Sequence, residues 1–385
     1  MVFFLIVIAL FSACCYYIGI RLISQDVFPF PWNLLLWLML VVFIFFPVLG
    51  FFLRFFRSKL AWSDRLSWIS YISLGFFSLL LVFLLTRDFV LWSSSLVLHR
   101  LPQSDLSQWI LNRREFLANL TNFLVFAISA AMTGYGIRQA RQIAKVKRVD
   151  VPFPGVVPDF GEISIVQISD IHIGSTIKGD YLRKIVAKVN SLQADIVAIT
   201  GDLVDGSVEN LGEDVRVLQD IQAKFGVYFV TGNHEYYSGV APWVDFVRSL
   251  GIKVLLNENV VLTINNAKVL LAGVTDYNAG GSHLSQPQKA IENSQYTDIK
   301  VLLAHQPRSI YEATKAGFDL QLSGHTHGGQ YFPWNFFVPL QQPYVAGLHR
   351  HENTWIYVSR GTGYWGPPLR IAAPSEITHI LLKKS

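Results

Sequence analysis

Ile163-Ser-Ile-Val-Gln-Ile-Ser-Asp-Ile-His172 begins as a short apolar run and ends in a carboxylate and an imidazole two residues apart. An apolar run of this length bounded by polar residues is typical of a buried strand. The pattern recurs through the rest of the chain, where most further apolar runs end in Asp, Asn or His. The further runs are residues 196–200, 227–230, 269–272, 301–304 and 320–322.

Helical patterns separate several of these predicted strands. Asp180 begins one helix with apolar residues at helical spacing, and residues 211–225 form a second that stops at Gly226. The apolar positions of the first helix are Leu182, Ile185, Val186 and Val189. Short strands that alternate with amphipathic helices predict a layered α/β domain.

The apolar excess of the chain, in which 51% of 385 residues are hydrophobic and 28 are Phe, lies mainly in the first 150 residues. A helix needs about 17–25 apolar residues to cross a bilayer. We predict an all-α transmembrane region with four such helices, at residues 2–20, 32–52, 68–85 and 118–137. The fourth carries Asn119, Thr121 and Asn122, so an alternative is that it lies at the membrane interface. Three spans would then remain, and the C-terminal part would lie on the other side of the membrane.

Composition also sets the predicted domain boundaries. Residues 1–149 are assigned to the transmembrane region, residues 150–159, with three prolines, to a linker, and residues 160–385 to a soluble domain. The only cysteines, Cys14 and Cys15, lie in the first apolar run, so no disulfide framework or thiolate metal site is expected.

Charge predicts the topology and the partner. Residues 1–150 hold 14 Lys and Arg against 6 Asp and Glu, and the rest of the chain is net negative. With four spans, the positive-inside rule places both termini, and the soluble domain, in the cytoplasm. Basic residues beside apolar spans contact lipid headgroups, so the lipid bilayer is the expected partner and nucleic acid is not.

The polar residues after the predicted strands form one chemical set of carboxylate, imidazole and amide groups. Loops at the carboxyl ends of strands in an open α/β sheet converge on one crevice, so groups distant in sequence can meet there. Two divalent ions need a bridging anion and several oxygen or nitrogen ligands each, and this set contains them. The spacings Asp170-x-His172 and His325-x-His327 predict an extended backbone, because alternate residues of a strand share a face.

Five blocks of this set resemble, in order, those of the calcineurin-like metallophosphoesterases. They are Asp170-x-His172, Gly201-Asp202-x-x-Asp205, Gly232-Asn233-His234-Glu235, His305 and Gly324-His325-x-His327. The resemblance covers roughly residues 160–380 and implies a layered β-sandwich flanked by helices. Gly328-Gly329-Gln330 and Ser359-Arg360-Gly361 look like the bacterial membrane-associated branch. That branch often has one apolar span, so the resemblance does not explain several.

The resemblance implies a centre of two divalent ions. One ion would be bound by residues of the first and last blocks, Asp170, His172 and His327. The other would be bound by Asn233, His305 and His325. Asp202 would join both ions. Nitrogen and oxygen ligands without sulfur suit manganese, iron or zinc.

The resemblance also implies two catalytic residues. His234 would stay off the metals and act on the scissile phosphate as general acid or charge stabiliser, with Asp205 orienting its imidazole. A water that bridges two such ions is acidic enough to attack phosphorus as hydroxide near neutral pH.

These properties predict a membrane-anchored, metal-dependent phosphoric ester hydrolase. A site tethered to a bilayer works at high local concentration on phosphates at the lipid surface. The favoured substrate is therefore a lipid-linked phosphoester or pyrophosphate. The resemblance to the bacterial membrane-associated branch implies UDP-diacylglucosamine as a candidate and the bacterial inner membrane as the location. The alternatives are a phosphatase or phosphodiesterase for a soluble nucleotide-type substrate and a non-catalytic membrane receptor with a metal-binding domain. The complete ligand set, together with His234, favours the enzyme. A domain that only binds need not keep every metal ligand or His234. The sequence leaves the oligomeric state open.

Aromatic residues near the last predicted ligands have two interpretations. They could receive an acyl chain, or they could pack on the domain core or the membrane interface. They are Tyr331, Phe332, Trp334, Phe336, Phe337 and Trp365. Of the remaining histidines, His379 is predicted to be a hydrogen-bonded core residue, while His283, His349 and His351 are assigned to loops.

Overall fold

The computed structural model describes residues 2–23, 28–55, 63–98, 114–153, 161–292 and 296–384. The chain divides into two compact units. The first consists of Met1–Arg138 with Gly366–Leu369, and the second of Gln139–Trp365 with Arg370–Ser385.

The described part of the first unit is helical, as its apolar stretches predict. The helices are α1 (Val2–Leu22), α2 (Trp32–Phe55), α3 (Ser63–Leu98) and α4 (Arg114–Ala140). Among the residues described, three stretches are long and apolar enough to cross a membrane, namely Leu5–Leu22, Ser63–Leu96 and Phe116–Ala140. The apolar stretch described in α2, Trp32–Pro47, is shorter. Helix α4, whose polar residues allowed an interfacial placement, thus meets the length and hydropathy required of a span.

Helix α3 is longer than the predicted span 68–85, because the charged residues beyond that span find partners on neighbouring helices. Asp88 accepts a hydrogen bond from Tyr17 at 2.7 Å and pairs with Arg21 Nε at 2.7 Å. Asn122 of α4 donates to the Arg21 carbonyl at 2.7 Å and so contacts the end of α1. These contacts join α1 to α3 and α4.

The second unit contains two six-stranded sheets, which confirms the predicted layered α/β fold. The first sheet has the order β1-β12-β2-β3-β4-β5 and the second the order β10-β11-β9-β8-β7-β6. The strands of the first are β1 (Lys145–Phe153), β2 (Ile163–Ile168), β3 (Ile196–Thr200), β4 (Val227–Val230), β5 (Lys253–Val254) and β12 (Glu376–Lys384). Those of the second are β6 (Glu258–Ile264), β7 (Ala267–Gly273), β8 (Ile299–Leu303), β9 (Leu320–Ser323), β10 (Gly347–His351) and β11 (Thr354–Val358).

Strand direction and core packing position the functional loops. Strands β2 to β5 run parallel in the first sheet, and β7, β8, β9 and β11 run parallel in the second. Apolar side chains from both sheets, among them Ile165 and Val269, form one buried cluster. The carboxyl ends of the parallel strands therefore lie at one edge of each sheet, and the shared core fixes the two edges relative to each other.

Helices flank the sheets and bury their apolar faces. They are α5 (Gly179–Asn190), α6 (Val208–Val215), α7 (Asn233–Ser238), α8 (Val240–Ser249), α9 (Pro287–Ile291) and α10 (Ile310–Lys315). Helix α5 buries the four apolar residues that its spacing predicted. The predicted helix 211–225 is wrong in extent, because α6 ends at Val215 and a 3-10 turn covers Arg216–Asp220. The Asn190 amide binds the Asp220 carbonyl and the Gln222 N–H, and these backbone groups do not continue the helix.

The boundary between the units differs from the predicted linker, residues 150–159. Strand β1 pairs in parallel with β12 over its full length, from Lys145↔Glu376 to Phe153↔Lys384. Residues 145–153 therefore belong to the first sheet, although the last four of them were predicted to be part of the linker. Edge strands tolerate proline, because one side of the strand needs no ladder hydrogen bonds. Residues 154–159 of the predicted linker lie outside the described residues.

Histidines away from the predicted site have structural partners. His379 is buried in β12, and its Nε2 lies 3.1 Å from Ser164 Oγ. The assignment of His349 and His351 to loops is wrong, because both lie in β10. There His351 Nδ1 lies 3.1 Å from the Tyr344 hydroxyl, and His349 stacks on the Tyr344 ring.

Candidate metal centre

The predicted ligands come together at the carboxyl ends of the parallel strands of both sheets. The residues that follow strands of the first sheet are Asp170, His172, Asp202 and Asn233. The residues that follow strands of the second sheet are His305, His325 and His327. All are brought there by the strand ends, as the rule for α/β sheets predicts. That they bind metal stays a prediction.

Asp170, His172 and His327 form one group, whose ligand atoms all lie within 4.8 Å of one another. His327 Nε2 lies 3.1 Å from His172 Nε2 and 3.5 Å from Asp170 Oδ1. All three side chains are buried. This group contains the same residues that the resemblance assigns to the first ion.

Asp202, His305 and His325 form a second group by the same distance. His305 Nε2 lies 3.1 Å from Asp202 Oδ2 and 3.2 Å from His325 Nδ1. The His305 Nδ1–H donates to the Thr200 carbonyl at 2.8 Å, because a carbonyl can only accept. This arrangement leaves Nε2 as the metal-binding nitrogen, as is usual for histidine ligands.

Asn233 supports the fit of an ion at the second group. Its Oδ1 is buried and, within the described part of the chain, has no hydrogen-bond partner. A buried amide oxygen left unpaired costs about 1–3 kcal/mol. A divalent cation is a partner that such an oxygen accepts, so the donor set present here fits the implied metal.

Asp202 reaches both groups. Its Oδ2 lies 3.1 Å from His305 Nε2 and 3.9 Å from His172 Nε2. Its Oδ1 accepts a hydrogen bond from the His234 backbone N–H at 2.9 Å. One carboxylate thus stands between the two groups, in the position that a bridging ligand requires.

The backbone of the ligand loops differs from the predicted extended conformation. Five of the predicted ligands have left-handed backbone, with φ between 52° and 70°. They are Asp170, His172, Asp202, His325 and His327. Left-handed non-glycine residues are strained and cluster at functional sites. The prediction from strand periodicity is therefore wrong, because the strands end before these residues and each loop turns sharply to bring its side chains to the centre.

Two glycines allow this close approach. A methyl group added at Gly232 would lie 2.2 Å from Asp202 Oδ1, and one added at Gly324 would lie 2.1 Å from Asp170 Oδ2. Any side chain at these positions would displace a carboxylate. The glycines that begin the third and fifth blocks, Gly232 and Gly324, are therefore required by space.

Asp205 contacts two histidines through a single oxygen. Its Oδ1 lies 2.5 Å from His234 Nδ1 and 3.3 Å from His172 Nδ1. Both rings consequently direct Nε2 towards Asp202, each at 3.9 Å from its Oδ2. Asp205 thus contacts His234, the ring that it is predicted to orient, and His172 in addition.

Burial and charge set the protonation of the centre. Burial raises the pKa of Asp170, whereas in Asp202 the charge and hydrogen bond of His305 outweigh burial and lower the pKa. Burial, reinforced by His305, lowers the pKa of His325 to about 3. Burial and then Arg370 hold the pKa of His327 well below its usual range. His325 and His327 are therefore neutral imidazoles near pH 7, which is the form that binds metal.

The pKa of His234 moves in the opposite direction. Burial opposes its charge, but the hydrogen bond to Asp205 and the charge of Asp202 outweigh burial and raise the pKa. A raised pKa favours the protonated form of the imidazole. This protonation state suits a group that donates a proton to a leaving oxygen.

Three further residues support the site without having been assigned a role from the sequence. Glu235 accepts hydrogen bonds from the backbone N–H groups of Gly232, Asp202 and Leu203 and so holds two ligand loops together. Burial raises its pKa to about 7. It was visible in the third block, but its backbone partners were not.

Asp276 and Arg370 are the other two. Asp276 follows β7 and is fully buried, and the Gln306 amide donates to both of its carboxylate oxygens at 3.1 Å. Its place after a strand was the signal that could have revealed it. Arg370 is buried and donates to the carbonyls of His327 and Arg360 at 2.9 and 2.8 Å. Its distance in sequence from the ligand blocks hid this role.

A sequence model of the calcineurin-like phosphoesterases matches residues 163–329. An uncharacterized metallophosphoesterase of Campylobacter jejuni is 34% identical over 390 residues, which cover 100% of this chain and 98% of that protein. The chain belongs to the calcineurin-like metallophosphoesterase family. This phosphoesterase is therefore a phosphoester hydrolase.

Two further relatives resemble the phosphoesterase over part of its length. An uncharacterized metallophosphoesterase of Helicobacter pylori is 38% identical over 271 residues, 69% of this chain and 71% of that one. A Danio rerio protein named as a transmembrane protein with a metallophosphoesterase domain is 37% identical over 273 residues, 68% of this chain and 62% of that one.

Proposed function

We propose that the phosphoesterase is a membrane-anchored hydrolase with two divalent ions that cleaves a phosphoester or pyrophosphate of a lipid-linked substrate. The observation that carries the proposal is the pair of ligand groups with Asp202 in one of them and 3.9 Å from His172 of the other, and with His234 beside them. Manganese, iron and zinc all suit a centre of nitrogen and oxygen ligands.

The two ions, when bound, would supply positive charge to the phosphate oxygens and activate a water. The residues of the chain divide the remaining work. Asp202 and the five carboxylate and imidazole side chains around it supply the negative and neutral donor atoms. Asn233 adds a buried amide oxygen. His234 presents Nε2 to the centre and donates a proton to the leaving oxygen, while Asp205 holds the opposite ring nitrogen.

Membrane association supports a lipid-linked substrate. The chain carries helices long and apolar enough to span a bilayer, and a Danio rerio relative is named as a transmembrane protein. Three aromatic residues after the last ligands are exposed rather than packed in the core, namely Trp334, Phe336 and Phe337. An enzyme anchored by such helices meets lipid phosphates at high local concentration.

With α2 counted as the fourth span, the excess of basic residues beside the predicted spans supports a location at a bacterial inner membrane with the catalytic unit in the cytoplasm. Fusion of a reporter active only in the cytoplasm to the C-terminus tests this orientation. Reporter activity is the expected result, and activity only of a periplasmic reporter overturns it.

The test of function is hydrolysis by purified full-length protein in detergent, supplied in turn with Mn²⁺, Fe²⁺ or Zn²⁺. UDP-diacylglucosamine in mixed micelles is compared with UDP-glucose and with simple soluble phosphate esters. The proposal expects turnover that a chelator abolishes, with kcat/KM about tenfold or more higher for the lipid. Faster turnover of the soluble esters overturns the lipid-linked substrate, and metal-independent turnover, or none on any ester, overturns the hydrolytic centre.

A further inference from the structure

Two exposed aromatic rings flank the His234 imidazole. The ring centroid of Tyr237 lies 5.3 Å from that of His234, and the centroid of Trp365 lies 5.9 Å from it. Both contacts are edge-on, with interplanar angles of 67° and 75°. His234 itself is only 8% exposed, whereas Tyr237 is 74% and Trp365 52% exposed. The catalytic histidine of the proposed reaction is therefore buried and in contact with two exposed aromatic rings.

The two rings reach His234 by different routes. Tyr237 follows His234 by three residues in helix α7, and residues three apart share a helix face. Trp365 comes from a distant loop, held by the buried side chain of Gln330. The backbone N–H of Trp365 donates to Gln330 Oε1 at 2.9 Å, and Gln330 Nε2 donates to the backbone carbonyl of Trp365 at 2.8 Å.

Gln330 is itself fixed in an unusual conformation. Its φ is 56° and ψ −54°, a region that a non-glycine residue rarely adopts. The Ile371 N–H donates to its carbonyl at 3.0 Å, and its own N–H donates to the His327 carbonyl at 3.0 Å. A strained residue that is held by several hydrogen bonds indicates a position maintained for function. Here the position fixes the backbone of Trp365 close to a predicted metal ligand.

We infer that Tyr237 and Trp365 form the specificity-determining contact for an apolar group esterified to the phosphate, with Gln330 as the residue that positions Trp365. An aromatic side chain left half exposed beside a buried catalytic group gains by covering apolar surface of a ligand. A group next to His234 on the solvent side is adjacent to the phosphate oxygen that His234 protonates. The inference rests on the proposed function.

Two kinds of substrate share this chemistry, an acyl or alkyl chain and an aromatic ring. Aromatic rings favour edge and offset contacts with other rings, whereas alkyl chains gain from area alone. A lipid-linked substrate predicts the chain, and a nucleotide-type substrate predicts the ring.

The test is binding of soluble phosphonates, which are not hydrolysed, to metal-loaded full-length protein by isothermal titration calorimetry. Methylphosphonate is compared with hexylphosphonate and benzylphosphonate. We expect the wild type to bind at least one of the two larger compounds about tenfold or more tightly than methylphosphonate. Preference for hexylphosphonate identifies a chain, and preference for benzylphosphonate identifies a ring.

Variants assign the preference to the aromatic pair. Trp365→Ala and Tyr237→Ala should each lower the preference for the larger phosphonate by about three- to tenfold, with the Kd of methylphosphonate unchanged. Trp365→Phe should retain most of this preference, and Gln330→Ala should lose it in part, because the backbone of Trp365 is then no longer held in place. Tyr296→Ala is the matched control, since that tyrosine is 80% exposed and not in contact with His234. Metal content and circular dichroism of each variant show whether it is folded.

The outcomes separate the inference from the proposed function. A folded Trp365→Ala variant with the full wild-type preference overturns the inference while metal-dependent hydrolysis stands. A wild type with no preference for the larger phosphonates also overturns the inference. A metal-loaded wild type that binds none of the phosphonates and hydrolyses no ester overturns both.

Discussion

The two sheets contribute different chemistry to the same centre. The first sheet supplies two carboxylates, one amide and one imidazole, whereas the second supplies imidazoles only. They are Asp170, Asp202, Asn233 and His172 from the first sheet, and His305, His325 and His327 from the second. The closest contacts cross between the sheets, as in the 3.1 Å between Asp202 Oδ2 and His305 Nε2. Each sheet alone holds an incomplete ligand set. The centre is therefore a property of the packing of one sheet on the other.

Protonation follows the same division. The second sheet holds His325 and His327 as neutral bases, because burial lowers their pKa. In the first sheet, Asp202 keeps its charge and His234 keeps a proton. The first sheet thus holds the negative charge of Asp202 and the predicted proton donor His234, and two neutral imidazoles come from the second sheet. Removing one contribution at a time tests whether the division is real.

Asp202→Ala should have the largest effect, because Asp202 is the carboxylate that contacts both ligand groups. We expect a loss of at least about 10³-fold in kcat/KM and of bound metal at both positions. Enzyme kinetics and elemental analysis measure the two effects. Asp319→Ala is the matched control. Asp319 precedes β9, at the end of the strand opposite His325, and its carboxylate accepts a hydrogen bond from the Lys300 N–H. Full metal content in Asp202→Ala would contradict the bridging position.

His234→Ala should abolish proton donation but leave the ligands in place. We expect kcat to fall about 10²- to 10⁴-fold while metal content stays at the wild-type level. Elemental analysis of the same preparation that is assayed checks both statements. If this variant lost metal in proportion to activity, His234 would be a ligand, and the separation between proton donor and ligands in the first sheet would be wrong.

Asp205→Asn should have a smaller effect on two properties at once. Its Oδ1 contacts both His234 and His172, so the amide should disturb the proton donor and one ligand of the first ion. Loss of such an orienting partner typically costs about 10- to 100-fold in activity or metal affinity. Kinetics with metal titration should show a lower kcat together with a weaker apparent metal Kd. A change in kcat alone would mean that the contact with His172 has no role.

His379→Gln should have the smallest effect, on stability rather than activity. Burial lowers the pKa of His379, so the native state disfavours its protonated form. The unfolded chain then binds the proton more readily, and stability present above about pH 6.5 is lost as the pH falls below that value. The wild-type Tm should therefore fall between pH 7.5 and 5 by roughly 1–3 °C more than that of the variant. Thermal unfolding followed by fluorescence measures the difference, and equal falls would contradict a buried neutral His379.

Local pattern predicted the parts of this molecule that depend on local chemistry. Buried strands such as β2 and β3 are recognisable in the sequence as short apolar runs. The periodicity of α5 predicted which of its faces is buried. The ligand residues were visible because strand ends and metal chemistry both restrict residue type. Their order along the chain then identified the family.

Contacts between distant residues explain what local pattern missed. Strand β1 was taken in part for a linker, because its pairing partner β12 lies more than 200 residues away. Asp170 and His172 adopt left-handed backbone because Gly201 and Asp202 of the next loop bind their N–H groups, which a strand pattern cannot show. The placement of Trp365 by Gln330 likewise depends on two hydrogen bonds across 35 residues.

The most direct measurement of the central claim is anomalous diffraction from crystals of the full-length protein equilibrated with Mn²⁺. The account predicts two manganese positions per chain, one in contact with Asp170, His172 and His327 and the other with Asn233, His305 and His325, with Asp202 touching both. A single position, or ions bound to one sheet alone, would contradict it.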